Sequence, residues 1–129
     1  MGIDIEQTRH YYETIEKENL CDCNYCKNYY RQVKAAYPLV ADYLNTMGVD
    51  IEKPYETSPL EVDENGNLEY CCCQYIVFGN CDVTWQYKID SVEFRVATSY
   101  PSTGIQQKHF VMELFPIKLK YDQKKSDQP

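Results

Sequence analysis

The chain has no long hydrophobic run. Its longest apolar stretch is Tyr75-Ile76-Val77-Phe78, far short of the ~20 apolar residues that a bilayer-spanning helix needs. A secretory leader is equally lacking, because Met1-Gly2-Ile3-Asp4-Ile5-Glu6 offers neither a basic n-region nor an apolar h-region. Gly2 invites myristoylation, but Glu6 stands where Ser or Thr is wanted. Positive charge is scarce too: 13 basic against 20 acidic residues give a net charge of −7, with Lys124-Lys125 as the one basic cluster. Phosphate binding needs concentrated Lys and Arg, so a nucleic-acid or anionic-membrane partner is disfavoured. Enzyme signatures are missing as well. No Gly-rich phosphate loop, paired-His motif or nucleophile elbow occurs, and His10 and His109 are the two histidines. These absences point to a cytoplasmic protein, and to binding rather than catalysis.

Cysteine and tyrosine are what the chain has in excess. In a reducing cytoplasm its seven cysteines stay thiols, and an odd count argues against a complete disulfide framework. Three of them fall within the stretch Cys21-Asp22-Cys23-Asn24-Tyr25-Cys26, directly before Lys27-Asn28-Tyr29-Tyr30-Arg31. Asn24 is placed to cap the following helix with its side-chain oxygen. That puts Cys23 and Cys26 at the positive end of a helix dipole, where thiolate is favoured over thiol. A C-x-x-C at such a place serves as half of a tetrahedral zinc site, as a redox dithiol, or as two small residues filling a corner. Cys21 adds a third sulfur, which strengthens the metal reading but still leaves one of four ligand positions open. Cys73 or Cys81, near the ends of the expected central strand, are the candidates to fill it, with His109 as a further donor. The 13 tyrosines read either as a binding face or as amphipathic rings lining the margin of a sheet core.

Along the chain, residues 3–18 mix two periods, and a short helix followed by a strand over Tyr11–Ile15 is expected. From Asn24 to Ala36 one helical face carries Tyr25, Tyr29 or Tyr30, Val33 and Tyr37. Pro38 stops this helix and opens the next, whose stripe is Leu39, Val40, Tyr43, Leu44 and Met47, with Gly48 as the C-cap residue. Glu61, Asp63 and Glu64 lack the spacing of a calcium loop, and Asn65-Gly66 reads as a type I′ hairpin turn. Beyond it the period becomes two. Leu68, Tyr70, Cys72, Gln74, Ile76 and Phe78 share one face of a central strand; Glu69, Cys71, Cys73, Tyr75 and Val77 share the other. Further strands are expected around Val83–Tyr87, Val92–Thr98 and His109–Leu114, with a continuation after Pro116 through Ile117, Leu119 and Tyr121. The sum is an α+β fold, an N-terminal helical pair packed on an antiparallel sheet of four or five strands. Residues 1–121 make this single domain, and residues 122–129 form a polar disordered tail.

Cys23-x-x-Cys26-Lys27-Asn28-Tyr29, Tyr37-Pro38, Gly48-Val49-Asp50-x-x-Lys53-Pro54 and the strand from Tyr70 to Phe78-Gly79 together resemble a family of small bacterial proteins of unknown function. The resemblance spans roughly residues 21–80. It implies a shared fold unit and a cytoplasmic bacterial setting, and no reaction. Cys21, Cys71, Cys72, Cys73 and Cys81 depart from the pattern.

Three functional readings follow. The first is a non-enzymatic interaction module that takes a protein or peptide partner, or a second copy as a homo-oligomer, on its Tyr-rich face or an unpaired strand edge. The second is a small zinc protein, with ligands drawn from Cys21, Cys23, Cys26, Cys73 and Cys81. The third is a thiol enzyme with Cys23 or Cys26 as nucleophile and His10 or His109 as base.

Overall fold

The alternation after the hairpin produces one long strand, and everything else is arranged along its two edges. A computed structural model describes residues 1–121, whose elements run β1 (Gly2–Ile3), α1 (Ile5–Thr14), a 3₁₀ turn (Lys17–Asn19), α2 (Asn24–Ala36), α3 (Pro38–Thr46), β2 (Glu56–Pro59), β3 (Asn67–Asn80), β4 (Gln86–Ile89), β5 (Val92–Val96), β6 (His109–Phe115) and β7 (Ile117–Lys120). All strand pairs are antiparallel. The sheet order is β1-β3-β6-β5-β4, with β2 and β7 also paired to β3. The fold is therefore α+β, with N-terminal helices on an antiparallel sheet. The described residues give it seven strands, because Pro116 cannot donate to the ladder and divides β6 from β7, and because β1 and β2 share one edge of β3. The expected tail lies outside the described residues. No helix among them is long and apolar enough to cross a membrane.

The helical pair forms where its sequence places it. Pro38 occupies the first turn of α3, and α3 ends in a Schellman motif: Val49 N–H donates to Leu44 O and Gly48 N–H to Asn45 O, both at 3.0 Å. The stripe on α3 is narrower than expected. Val40, Ala41 and Leu44 are buried, while Leu39 is 59% exposed, since it lies in the first turn on the side away from the sheet.

Residues 3–18 hold no strand after the helix. Asp4 caps α1 by accepting the Gln7 amide at 3.0 Å, and the helix continues through Tyr11 and Tyr12 because its buried face has a specific task. The edge of β3 is covered by β2 over Tyr70–Gln74 and by β1 at Gly79 and Asn80, which leaves a gap between them. Tyr12 Oη donates to Ile76 O at 2.8 Å, Phe78 N–H donates to Thr8 Oγ1 at 3.0 Å, and Asp4 N–H donates to Phe78 O at 2.9 Å. Side chains of α1 thus complete a ladder that no strand completes there, which the need to pair every buried backbone group explains.

The two faces of β3 do not keep one alternation throughout. Leu68 and Tyr70 share the main core with Cys73, Tyr75 and Val77, whereas a regular strand would put them on opposite faces. An extra residue on β3 opposite β2, between Thr57 and Pro59 in the partner register, resets the parity. Ile76 and Phe78 face a smaller cluster with Ala97 and Val111, covered by Tyr11, Tyr55 and Ile105. Tyr12, Tyr29, Tyr70 and Tyr75 lie inside the core and not at its margin, each with its hydroxyl bonded there. Val83 and Trp85 precede β4 instead of lying in it, and Trp85, Tyr87 and Tyr43 form a stack of rings at the surface. On the outer side of the sheet Glu113 is buried, and Arg95, Gln74 and Cys72 all point donors at its carboxylate.

The hairpin turn differs in type from the expectation. Gly66 has φ 79° and Asn65 does not have positive φ; Gly66 N–H donates to Asp63 O, and Asp63 Oδ1 accepts the amides of Asn65 and Asn67. This is a type I turn followed by a left-handed glycine. A Cβ at Gly66 would meet nothing within 4 Å, so the cost of a side chain there is purely conformational. Gly66→Val is expected to lower stability by about 1 kcal/mol or more, and an unchanged denaturation midpoint would show that the left-handed backbone is not required. A second expectation tests the mended edge. Thr8→Val should cost about 1–3 kcal/mol by stranding the Phe78 amide, while Thr8→Ser should cost much less. Equal losses for the two variants would mean that packing, not the hydroxyl, secures this edge.

Candidate metal centre

The thiol cluster lies where the loop after the 3₁₀ turn enters α2. Cys23, not Asn24, is the N-cap, with extended backbone (φ −66°, ψ 156°). Its sulfur accepts the Cys26 amide at 3.4 Å, a role that oxygen usually fills. Asn24 is therefore the first helical residue. Cys26, one turn on, turns toward the sheet, where its sulfur lies 3.6 Å from Thr57 Oγ1 on β2. Two tyrosines fix the surroundings. Tyr30 Oη donates to Cys21 O at 3.0 Å and ties the loop back to the helix. Tyr70 Oη, from β3, donates to Tyr25 O inside the cluster's own turn.

The Sγ atoms of Cys21, Cys23 and Cys26 all lie within 4.8 Å of one another. Tetrahedral ligation by sulfur at about 2.3 Å from a metal implies sulfur–sulfur separations of about 3.8 Å, so side-chain adjustments of an ångström or less would bring the three onto one face of such a shell. These three side chains can hold a metal ion. Cys21 and Cys23 are exposed and Cys26 is buried, so an ion there would sit at the surface.

The thiols differ in acidity. Burial pushes the Cys26 thiol up to about 12, aided by the proton it donates toward Cys23. For Cys23, burial also pushes upward, but the amides of Cys26 and Tyr25 and the thiols of Cys26 and Cys21 all stabilise its thiolate, and the net direction is down.

The strand cysteines do not join the cluster. Cys73 is fully buried beside the Tyr29 hydroxyl in the main core. It comes near Cys26 through Thr57, its cross-strand partner, yet it lies outside the group of converging sulfurs. Burial raises its pKa well above the usual thiol range, so it acts as a small hydrophobe. Cys81 follows the far end of β3, where Asn80 pairs with Gly2; eight residues of extended chain put it about 26 Å from Cys73. His109 pairs with Phe78, five residues or about 16 Å along β3 from Cys73, and both its ring nitrogens are engaged, with Thr103 Oγ1 and Gln107 O. His10 sits exposed on α1. Neither histidine reaches the thiols, which removes them as bases for Cys23 or Cys26. Cys71 donates to Ser58 O at 3.2 Å, and Cys72 donates to Glu113 Oε1 at 3.3 Å.

Sequence reasoning missed Thr57 and Tyr30 as neighbours of the cluster. Tyr30 was within reach of helix periodicity, being four residues after Cys26 on one helical face. Thr57 carries no local signal, because only the pairing of β2 with β3 brings it there. No protein family, curated protein or solved structure matches this chain.

Burial and the Glu113 carboxylate push the Cys72 thiol up to about 12 as well. Cys26 and Cys72 thus ionise at higher pH in the fold than in the unfolded chain, where the ordinary value is 9.0. Their contribution to stability is complete below that value and is lost as pH rises toward about 12. The urea midpoint of reduced, metal-free protein should accordingly fall between about pH 8 and about pH 10.5. A midpoint that stays level or rises over that interval would contradict the burial of these thiols.

Proposed function

We propose that the protein is a non-enzymatic, cytoplasmic metal-binding module that holds one zinc ion through Cys21, Cys23 and Cys26. The observation that supports this reading is the convergence of three sulfurs within 4.8 Å, two of them on exposed residues. Thiolate ligands favour zinc and other soft ions over magnesium or calcium. Three protein ligands leave the fourth position to water or an outside donor, as in zinc sites that exchange ligands, whereas purely structural sites are closed by four. The ion would therefore close the loop 21–26 onto the start of α2. It would not staple α2 to the sheet, as a bond to Cys73 would have done.

Zinc binding must displace the protons of thiols that are not yet ionised, so affinity should drop steeply as pH falls. Protein purified without an affinity tag should carry one zinc per chain. Cys26→Ser should weaken binding by about a hundredfold or more and lower the melting temperature of the loaded protein, because bound ligand stabilises only the folded state. Cys81→Ser should leave affinity unchanged. Wild-type protein that takes up no stoichiometric zinc would end this reading, as would equal zinc affinity in the Cys26→Ser and Cys81→Ser variants.

A further inference from the structure

The C-x-x-C half of the cluster has a built-in division of labour that metal ligation does not require. Cys23 is exposed and Cys26 is buried. The Cys23 sulfur caps α2, accepting the Cys26 amide at 3.4 Å, in the position where a helix dipole stabilises negative charge. The Cys26 sulfur faces inward onto Thr57, 3.6 Å away, and an approaching molecule meets Cys23 first. The two sulfurs are within 4.8 Å, and a disulfide of about 2.05 Å between them requires side-chain rotation at adjacent turns without moving the helix.

We propose that Cys23 and Cys26 act as an exchanging dithiol toward low-molecular-weight disulfides, with Cys23 as the attacking sulfur and Cys26 as the resolving one. This activity belongs to the metal-free thiols and does not rest on the zinc reading; a metal-bound thiolate is withheld from attack, so the two states exclude each other.

In the first step the Cys23 thiolate bonds to one sulfur of R–S–S–R and expels the other as RS⁻, which takes a proton from water. In the second, Cys26 gives up its proton to solvent and its sulfur bonds to Cys23 Sγ, expelling the second RS⁻, which is protonated in turn. The dithiol is oxidised by two electrons and the external disulfide is reduced to two RSH; excess RSH reverses the sequence. The exposure of Cys23 lets it meet the external disulfide first, and the burial of Cys26 against Thr57 holds it back until the mixed disulfide forms beside it.

Three of the other thiols are poorly placed to compete. Cys73 is 0% exposed. Cys72 is tied to Glu113 at 3.3 Å, whose negative charge opposes its ionisation. Cys21 is exposed, but it stands in the irregular loop before the helix, so the helix does not hold it facing Cys23 as it holds Cys26.

The test uses the full chain, reduced, stripped of metal with a chelator, and treated with glutathione disulfide. Peptide mapping by mass spectrometry should find a Cys23–Cys26 disulfide with release of two glutathione molecules per chain. Cys26→Ser should trap a glutathione adduct on Cys23. Cys23→Ser should slow glutathione release by about tenfold or more, and Cys21→Ser should leave the mapped pairing intact. A Cys21–Cys23 disulfide in wild type, first adducts at Cys71, or equal release from wild type and Cys23→Ser would each overturn the assignment. The wild-type map decides the pairing even where a variant fails to fold. Stripped protein that still takes up zinc but does not exchange would overturn the dithiol alone, and exchange in protein that binds no zinc would support it alone.

Discussion

Hydroxyl groups buried in the core set the docking of helices on this sheet. Tyr75 Oη donates to Ile51 O at 2.6 Å and accepts from Tyr29 Oη at 2.5 Å, because its single proton is already committed to the carbonyl. Tyr70 Oη reaches Tyr25 O, and Tyr12 Oη reaches Ile76 O. Each hydroxyl would cost about 1–3 kcal/mol if stranded in the core, and among the described residues no buried side-chain oxygen or nitrogen lacks a partner. Apolar contact alone would let α2 slide or rotate over the sheet at small cost. A chain of directed bonds from α2 to β3 to the loop at Ile51 permits one arrangement.

The same constraint prepares the thiol cluster. α2 is held near its start by Tyr70, at Asn28 by a bond to Lys120 O at 3.0 Å, and at Tyr29 by Tyr75. Cys26 shares that fixed turn and is pressed on Thr57. Cys23 is fixed by the cap it makes. Cys21 precedes the helix and is joined to it through its carbonyl by Tyr30. Two sulfurs are thus positioned by the fold and the third by a loop, an arrangement that lets a ligand shell close without cost to the core.

Local patterns carried the legible part of the fold. The boundaries of α2 and α3 follow from hydrophobic period and Pro38, and the strand after Gly66 follows from alternation. The turn at Asp63–Gly66 and the cap at Cys23 depart for local reasons; the larger departures come from distant partners. Tyr11 and Tyr12 suit a strand by propensity, yet they are helical because Thr8 and Tyr12 must serve the open edge of β3. The parity of β3 changes where β2 pairs with an irregular register, and nothing in Cys71-Cys72-Cys73 announces it. At the site, spacing alone was enough to group Cys21, Cys23 and Cys26. Spacing could not assign Cys73 and Cys81, because adjacency in a strand says nothing about which end meets the helix.

The position of Cys73 explains why the cluster stays open. Its cross-strand neighbour Thr57 touches Cys26, so a fourth sulfur is only one side chain away. To ligate, Cys73 would have to leave its packed place in the main core beside the Tyr29 hydroxyl, and vacating a well-packed site is costly. Its rotation would also disturb the Tyr29–Tyr75 pair that anchors α2. Packing therefore keeps Cys73 out of the cluster, and under the proposed readings the exposed sulfur of Cys23 is where a proton, a metal ion and an external disulfide would compete. The occupancy of that one sulfur would then follow pH, metal supply and thiol redox state, a variable that the fold leaves to its surroundings.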